Sequence, residues 1–188
     1  MADDLSQLTL EELWQLFPIF LVEHNPAWER QFEAMADELA ELLVGFQVER
    51  ISHIGSTTVD NIMAKNIVDI LVELPRSASM EAAAGALERA GFTVMSAEGE
   101  RISLNRGYTP DGFADEVFHV HLRYAGDNDE LYFRDYLREH PEVAREYEAF
   151  KLGLWKRFEH NRDAYTEAKG DFIRSVTATA KQAYPGRY

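Results

Sequence analysis

The run at residues 67–74 is almost entirely apolar, and this feature does most to limit how the chain can fold. It predicts a strand that ends at Pro75. Only Asp69 and Glu73 interrupt the run, and a strand places both carboxylates on one face with Leu71 between them. An ionised carboxylate in apolar surroundings needs a metal ion, a basic side chain or backbone donors. The alternative is that Asp69 caps a neighbouring helix and Glu73 is simply solvated.

Strand and helix patterns alternate around this run. Further strands are predicted at residues 19–22, 46–54, 92–95, 101–105 and 116–123, with a longer loop containing Gly107, Pro110 and Gly112 before the last of them. Helices are predicted from residue 10 to Phe17 behind a Thr9/Glu12 capping box, after Asn25-Pro26, and from Ser79 to Gly91. The sheet is therefore expected to be mixed.

The last third of the sequence is helical in pattern. Helices are predicted at residues 131–139, then beyond the His140-Pro141 break to Phe158, and from Asn161 onwards. The fold class expected is α/β (α+β), with a mixed sheet flanked by helices and a C-terminal helical segment. We expect one domain over residues 1–188, with a core at about 18–125 and helices at about 128–183.

Composition removes several classes of function. The chain has no cysteine, which excludes disulfides, zinc ribbons and a thiol nucleophile. No apolar run approaches the roughly 20 residues that span a bilayer, and no signal peptide is recognised, so a cytoplasmic protein is expected. The formal net charge of −14 makes nucleic acid an improbable partner, although a local basic pocket for one nucleotide is still allowed. The simpler interpretation of the acidity is a solvated surface.

Two short motifs carry candidate chemistry. Gly55-Ser56 lies between a predicted strand and a predicted helix, where free N–H groups and a glycine suit a phosphate group. His119-x-His121 places two imidazoles on one face of a strand, and such a pair binds a divalent ion or contacts phosphate. The alternatives are a purely structural turn and two solvent-facing histidines.

Basic side chains in the helical tail form a third group of candidates. Arg134, Lys151, Arg157 and Lys169 are possible phosphate ligands, and Tyr165 shares a helical face with Lys169 at i, i+4 spacing. The alternative is that these residues pair with the abundant acidic side chains.

The order of the motifs resembles the GrpB family over about residues 20–180. The resemblance lies in His-Asn-Pro-Ala-Trp at 24–28 before Phe32, His-Ile-Gly-Ser-Thr-Thr at 53–58, Ala-Lys-Asn-Ile-Val-Asp-Ile at 64–70, His119-x-His121, Phe-Arg-Asp-Tyr-Leu at 133–137 with His140-Pro141, and Ala-Tyr-Thr-Glu-Ala-Lys at 164–169. This resemblance implies the nucleotidyltransferase fold, in which a Gly-Ser turn follows the first strand and acidic residues on the next strand hold a divalent metal ion.

The residues expected at the site follow from that resemblance. Nucleotide or phosphate ligands are expected at Gly55, Ser56, Thr57, Lys65, His119, His121, Arg134, Tyr165 and Lys169, and Mg²⁺ (or Mn²⁺) ligands at Asp69, Glu73, His119 and His121, with Asp69 and Glu73 as the catalytic carboxylates. The family's second carboxylate position is Leu71 here, so only Glu73, about 6 to 7 Å further along the strand, is left to substitute for it.

Three functions remain open at this point. The first is a metal-dependent transfer of a nucleoside monophosphate from a nucleotide to a small acceptor. The second is a non-catalytic nucleotide or metabolite binder on the same fold. The third is a transition-metal site made by His53, His119, His121 and Asp69 that supports hydrolysis.

Overall fold

The computed structural model describes residues 5–188, and these residues include a five-stranded sheet. The strands are β1 (Arg50–Ile54), β2 (Val68–Leu74), β3 (Thr93–Glu98), β4 (Arg101–Thr109) and β5 (Gly112–Tyr124). Their order is β1-β2-β5-β4-β3. Strands β2 and β5 are parallel and the other neighbours are antiparallel, so the predicted mixed sheet is confirmed.

Within the part of the chain that the structure describes, six α-helices flank the sheet. They are α1 (Leu10–Leu16), α2 (Ala27–Leu42), α3 (Met80–Arg89), α4 (Asp129–Glu139), α5 (Pro141–Phe158) and α6 (Arg162–Ala183). The capping box is present at α1, where Glu12 N donates to Thr9 Oγ1 and Thr9 N donates to Glu12 Oε2. Helices α4 to α6 form the predicted C-terminal helical segment. Within residues 5–188, no helix is both long enough and apolar enough to cross a bilayer.

The two faces of the sheet have different roles. Val68, Ile70 and Val72 of β2 are almost completely buried against the apolar stripes of α2 and α3. Each such side chain contributes about 1.5–3 kcal/mol through burial. The opposite face carries Asp69 and Glu73 and is covered by the C-terminal helices. The alternation of residues along β2 therefore separates the core from the face with polar groups.

Some predicted boundaries were wrong. Residues 19–22 form one isolated bridge, between Val22 and Ala64, and none of the strands found within residues 5–188 pairs with them. Residues 44–46 form a 3₁₀ turn, and Gln47 has φ 53°, so β1 begins only at Arg50. The hydroxyl residues at 56–58 form a 3₁₀ turn instead of starting a helix.

The long loop predicted before residue 116 is also wrong. Strands β4 and β5 continue to a tight turn at Pro110-Asp111, and a register shift between Arg106 and Tyr108 produces a bulge. Gly107 has φ 100°, and a β-carbon there would clash with the carbonyl oxygen of Glu116. Residue 107 must therefore be glycine for the bulge to form within this long hairpin.

Candidate functional site

The site is built around three side chains on the two parallel central strands. Asp69 of β2 pairs in register with His119 of β5, and His121 follows on the same face. Oδ1 of Asp69 lies 3.2 Å from His119 Nδ1 and 3.6 Å from His121 Nε2. One ligand atom from each residue lies within 4.8 Å of the other two. We call these three residues the His-Asp cluster.

The cluster is enclosed but reachable from solvent. The exposed side-chain fractions are 29% for Asp69, 11% for His119 and 22% for His121. Burial lowers the pKa of His119 to about 4, which keeps this imidazole neutral at physiological pH. Burial opposes ionisation of Asp69, but hydrogen bonds from His119 and His121 prevail and hold its pKa well below the ordinary value. The cluster therefore presents one carboxylate and neutral His119.

Hydrogen bonds behind the cluster orient both rings. The hydroxyl of Tyr108 lies 2.9 Å from His119 Nε2, and Arg162 Nη2 donates to that hydroxyl at 2.6 Å. The hydroxyl of Ser103 lies 3.1 Å from His121 Nδ1. Such partners on the second ring nitrogen fix the tautomer of a histidine that binds a metal ion.

The Gly55-Ser56 turn touches the cluster directly. Gly55 has φ 76°, and a β-carbon on it would stand 2.6 Å from Asp69 Oδ2. Thr58 closes the turn by donating its hydroxyl to the Gly55 carbonyl at 2.7 Å. Only glycine allows the backbone to pass this close to the carboxylate. Val59, at the end of the turn, packs in one apolar cluster with Tyr147 of α5, which links the turn to the C-terminal helices.

Three basic side chains lie on the same side as the cluster, and we call them the cationic group: Lys65, Lys169 and Arg162. Both lysines lie near the ring of Tyr165, whose centroid is 5.9 Å from Lys65 Nζ and 4.6 Å from Lys169 Nζ. Burial, followed by repulsion from nearby cations, lowers the pKa of Lys65 to about 7. Burial lowers the pKa of Lys169 to about 8, and the charge of Asp69 opposes both shifts. This concentration of positive charge contrasts with the net charge of −14 of the whole chain.

The structure does not bring Glu73 to the cluster. Its carboxylate accepts from Arg50, from Asn128 Nδ2 at 3.0 Å and from Gly126 N at 3.3 Å. Burial opposes its ionisation, but these donors lower the pKa of Glu73. Between the two carboxylates, Leu71 is completely buried beneath Ile54 and Leu131. Apolar packing therefore occupies the position of the family's second carboxylate.

Four further candidates lie apart from the cluster. Arg134 donates to the His53 carbonyl, to Asp135 and to the Tyr188 hydroxyl. Thr57 Oγ1 lies 2.9 Å from His53 Nε2, and the His53 ring stacks on Phe32, so His53 is not one of the clustered ligands. Lys151 donates to the Met63 carbonyl and is 2% exposed. The hydrogen bonds of these side chains are thus made with residues outside the cluster.

Sequence reasoning missed Tyr108, Ser103 and Arg162. Tyr108 falls in the residues taken for a loop, and Ser103 has no distinguishing pattern. Arg162 follows the helix-start signal at Asn161, which accepts from Ala164 N, and an arginine there is typical of many helices. Only the hairpin register and the packing of α6 bring these residues behind the histidines.

The donor set decides which metal ion fits. One carboxylate oxygen and two imidazole nitrogens suit Mn²⁺, Fe²⁺ or Zn²⁺, whereas Mg²⁺ prefers oxygen ligands alone. Ligands about 2.1 Å from a metal ion lie about 3.0 to 3.4 Å apart in octahedral or tetrahedral geometry. The separation of 3.2 Å between Asp69 and His119 falls in that range, and that of 3.6 Å to His121 slightly exceeds it.

The five-stranded mixed sheet with its flanking helices is similar in fold to a nucleotidyltransferase. The structure of the Cid1 poly(U) polymerase with bound MgGTP superposes with a TM-score of 0.50 at 11% sequence identity. The match covers 79% of this chain and 46% of that chain. At this identity the similarity concerns the fold alone.

The chain belongs to the GrpB family, whose model, described as GrpB protein, matches residues 18–179. The resemblance drawn from the motifs is thus confirmed. The crystal structure of GrpB from Enterococcus faecalis superposes with a TM-score of 0.75 at 30% identity, covering 88% of this chain and 99% of that one.

Curated relatives agree with this assignment. The glutamate-rich protein GrpB of Alkalihalophilus pseudofirmus is 32% identical, over 84% of this chain and 93% of that protein. The UPF0157 protein YqkA of Bacillus subtilis is 30% identical over 97% of this chain, which spans 54% of the length of YqkA.

Proposed function

We propose that this protein binds a nucleoside triphosphate together with one divalent transition-metal ion and transfers the nucleoside monophosphate to a small acceptor. The observation that carries the proposal is the convergence of Asp69, His119 and His121 beside the Gly55 turn. The nucleotidyltransferase-like fold supports it. The family resemblance led us to expect Mg²⁺ or Mn²⁺, and of these two ions the donor set favours Mn²⁺.

The roles of the side chains follow from their charges and positions. Asp69, His119 and His121 would hold the metal ion, which when bound neutralises part of the phosphate charge. Lys65, Lys169 and Arg162 supply positive charge for the outer phosphate groups. The backbone of the turn at 55–58 offers N–H groups at close approach.

The proposed reaction conserves atoms and charge. The acceptor oxygen or nitrogen attacks the α-phosphorus, and the bond from that phosphorus to the bridging oxygen breaks. Pyrophosphate leaves with the electron pair, and the proton of the acceptor passes to solvent. The chain contributes orientation and electrostatic stabilisation, the main components of phosphoryl-transfer catalysis.

A second candidate is a metal-dependent nucleotide binder that transfers nothing. Two observations favour this candidate: Leu71 is buried in an apolar cluster, and Glu73 is paired with Arg50. Asp69 is then the one carboxylate left for a metal ion, where the resemblance predicts two. Both candidates require the same metal ion and nucleotide, and only the release of pyrophosphate separates them.

Metal analysis and a thermal-shift titration test the proposal. Untagged protein should bind about one equivalent of Mn²⁺ or Zn²⁺, and ATP, GTP, CTP or UTP should raise Tm only in its presence. Asp69→Asn and His121→Ala should abolish both effects, whereas Asp163→Asn, on the exposed side of α6, should retain them. Failure of every metal ion to bind would refute the proposal, and nucleotide binding without pyrophosphate release would favour the second candidate.

A further inference from the structure

A second cleft lies along the outer edge of β1, and we call it the edge cleft. It has a volume of about 1050 Å³ and lies between α2 on one side and α4 with α5 on the other. Its lining contains none of the three residues of the His-Asp cluster. The residues of β1 that line it are Ile51, Ser52 and His53. A cavity of this size is typical of a site for a small molecule.

The two walls carry opposite charges. Glu29 and Glu33 are exposed and share one face of α2 at i, i+4 spacing. Arg138 of α4 and Arg145 of α5 line the facing wall. The pKa of Arg138 is lowered by burial and by Arg134, and the carboxylates of Asp135, Asp60 and Glu29 oppose this. Arg138 therefore lies within electrostatic reach of the α2 wall, and also of Asp60, which lines the same cleft.

The opposed charges do not neutralise one another. Within residues 5–188, no ion pair joins Glu29 or Glu33 to Arg138 or Arg145, although ion pairs of other residues are numerous. Arg138 Nε donates a hydrogen bond to the Thr58 carbonyl oxygen at 2.8 Å. Within residues 5–188, the two terminal nitrogens of Arg138 have no hydrogen-bond partner. The same holds for the guanidinium of Arg145 in this part of the chain.

The floor between the walls combines an aromatic stack with polar side chains, among them Ser52, Thr57 and Thr58. The ring of Phe32 stacks on that of His53 with centroids 4.9 Å apart and an interplanar angle of 12°. Burial lowers the pKa of His53 to about 4, so this ring is neutral at physiological pH. Val59 and Leu137 also line the cleft but are almost completely buried. A ligand that fits therefore has two oppositely charged ends, with an apolar group between them that contacts the ring of Phe32.

We propose that the edge cleft binds a small zwitterion of the size of a dipeptide, with its carboxylate on Arg138 and Arg145 and its ammonium on Glu29 and Glu33. A simple anion would meet repulsion from the two glutamates, and a simple cation would meet repulsion from the two arginines. A zwitterion satisfies both walls at once. This inference does not depend on the proposed function, because none of the four charged side chains is assigned there to the metal ion or to the nucleotide.

Isothermal titration calorimetry with the dipeptide Leu-Leu, without metal ion or nucleotide, tests the inference. N-acetyl-Leu-Leu and Leu-Leu amide are matched probes that each lack one charge. We expect Leu-Leu to bind at millimolar concentration or below, and each capped form to bind at least about tenfold more weakly. Gly-Gly, which lacks the apolar group, should also bind more weakly.

Variants locate the binding in the cleft. Arg145→Gln and Glu33→Gln alter exposed side chains and should each weaken Leu-Leu binding about fivefold or more. Arg174→Gln and Glu88→Gln, exposed on α6 and α3, should leave it unchanged. Equal affinity for the capped forms, or no binding of Leu-Leu by the folded wild type, would overturn the inference. Phosphate binding that is lost in Arg145→Gln but kept in Glu33→Gln would show an anion site instead, and would also overturn it.

Discussion

The backbone of Gly55 lies in direct contact with the carboxylate of Asp69, because a β-carbon at residue 55 would stand only 2.6 Å from Oδ2. Gly55 also has φ 76° and ψ −173°, a conformation that is almost confined to glycine. The turn and the carboxylate are thus fixed relative to each other by close packing. The same contact positions Asp69 towards the two histidines.

Replacing Gly55 with alanine should damage both the fold and the cluster. We expect Gly55→Ala to lower the free energy of unfolding by about 1–3 kcal/mol from the backbone conformation alone. The displaced carboxylate should also weaken metal binding. Urea denaturation and metal titration measure the two effects. The matched control is Gly153→Ala within α5, where nothing lies within 4 Å of an added β-carbon, and it should stabilise the protein by about 0.5–1 kcal/mol.

Glu73 should prove to be structural. Glu73→Gln removes the buried partner of Arg50, so we expect the free energy of unfolding to fall by about 2–4 kcal/mol while metal affinity is unchanged. Glu100→Gln, which breaks the exposed pair with Arg76, should change stability by less than about 1 kcal/mol. A large loss of metal affinity in Glu73→Gln would show that the carboxylate is a ligand after all.

A second carboxylate should not be tolerated at residue 71. Leu71→Asp places an unpaired charge beneath Ile54 and Leu131, so we expect a loss of several kcal/mol and no gain in Mg²⁺ binding. Leu71→Val removes one methylene from the same position and should cost only about 1 kcal/mol. A stable Leu71→Asp variant that binds Mg²⁺ would contradict this account of the buried face.

Stability of the metal-free protein should rise with pH between about 4 and 6.5. Burial lowers the pKa of His53 to about 4, so over this range the unfolded chain binds more protons than the folded one. The contribution is fully present above pH 6.5 and amounts to roughly 3 kcal/mol. Chemical denaturation at several pH values, compared with His53→Gln, measures it. An unchanged pH dependence in His53→Gln would contradict the assignment.

Nucleotide binding should be accompanied by proton uptake near pH 8. Lys65 has a pKa of about 7 and Lys169 of about 8, and bound phosphate groups favour the charged form of each. Calorimetry in two buffers with different ionisation enthalpies should therefore show uptake of about one proton. Lys169→Met should reduce both the uptake and the affinity, whereas Lys156→Met, on the exposed side of α5, should change neither. Binding without proton uptake would place the phosphates elsewhere.

Much of the fold follows from local sequence patterns. The apolar run that forms β2, the Thr9 capping box and the His140-Pro141 break correspond to elements of the structure. The residues at 19–22 failed as a strand because an apolar run shows a preference for extended backbone but not the presence of a partner strand. The hairpin of β4 and β5 was missed because Gly107 signalled a loop where the structure has a bulge.

The sequence by itself determined the family and the residue types of the cluster, because the motif order and the alternation along each strand are local properties. The tertiary structure alone decided that Asp69 faces His119 and His121, since that depends on the parallel register of β2 and β5, about fifty residues apart. It also decided that Glu73 pairs with Arg50 and that Leu71 is covered by packing. Convergence of distant side chains depends on strand order and helix packing, which no single segment encodes.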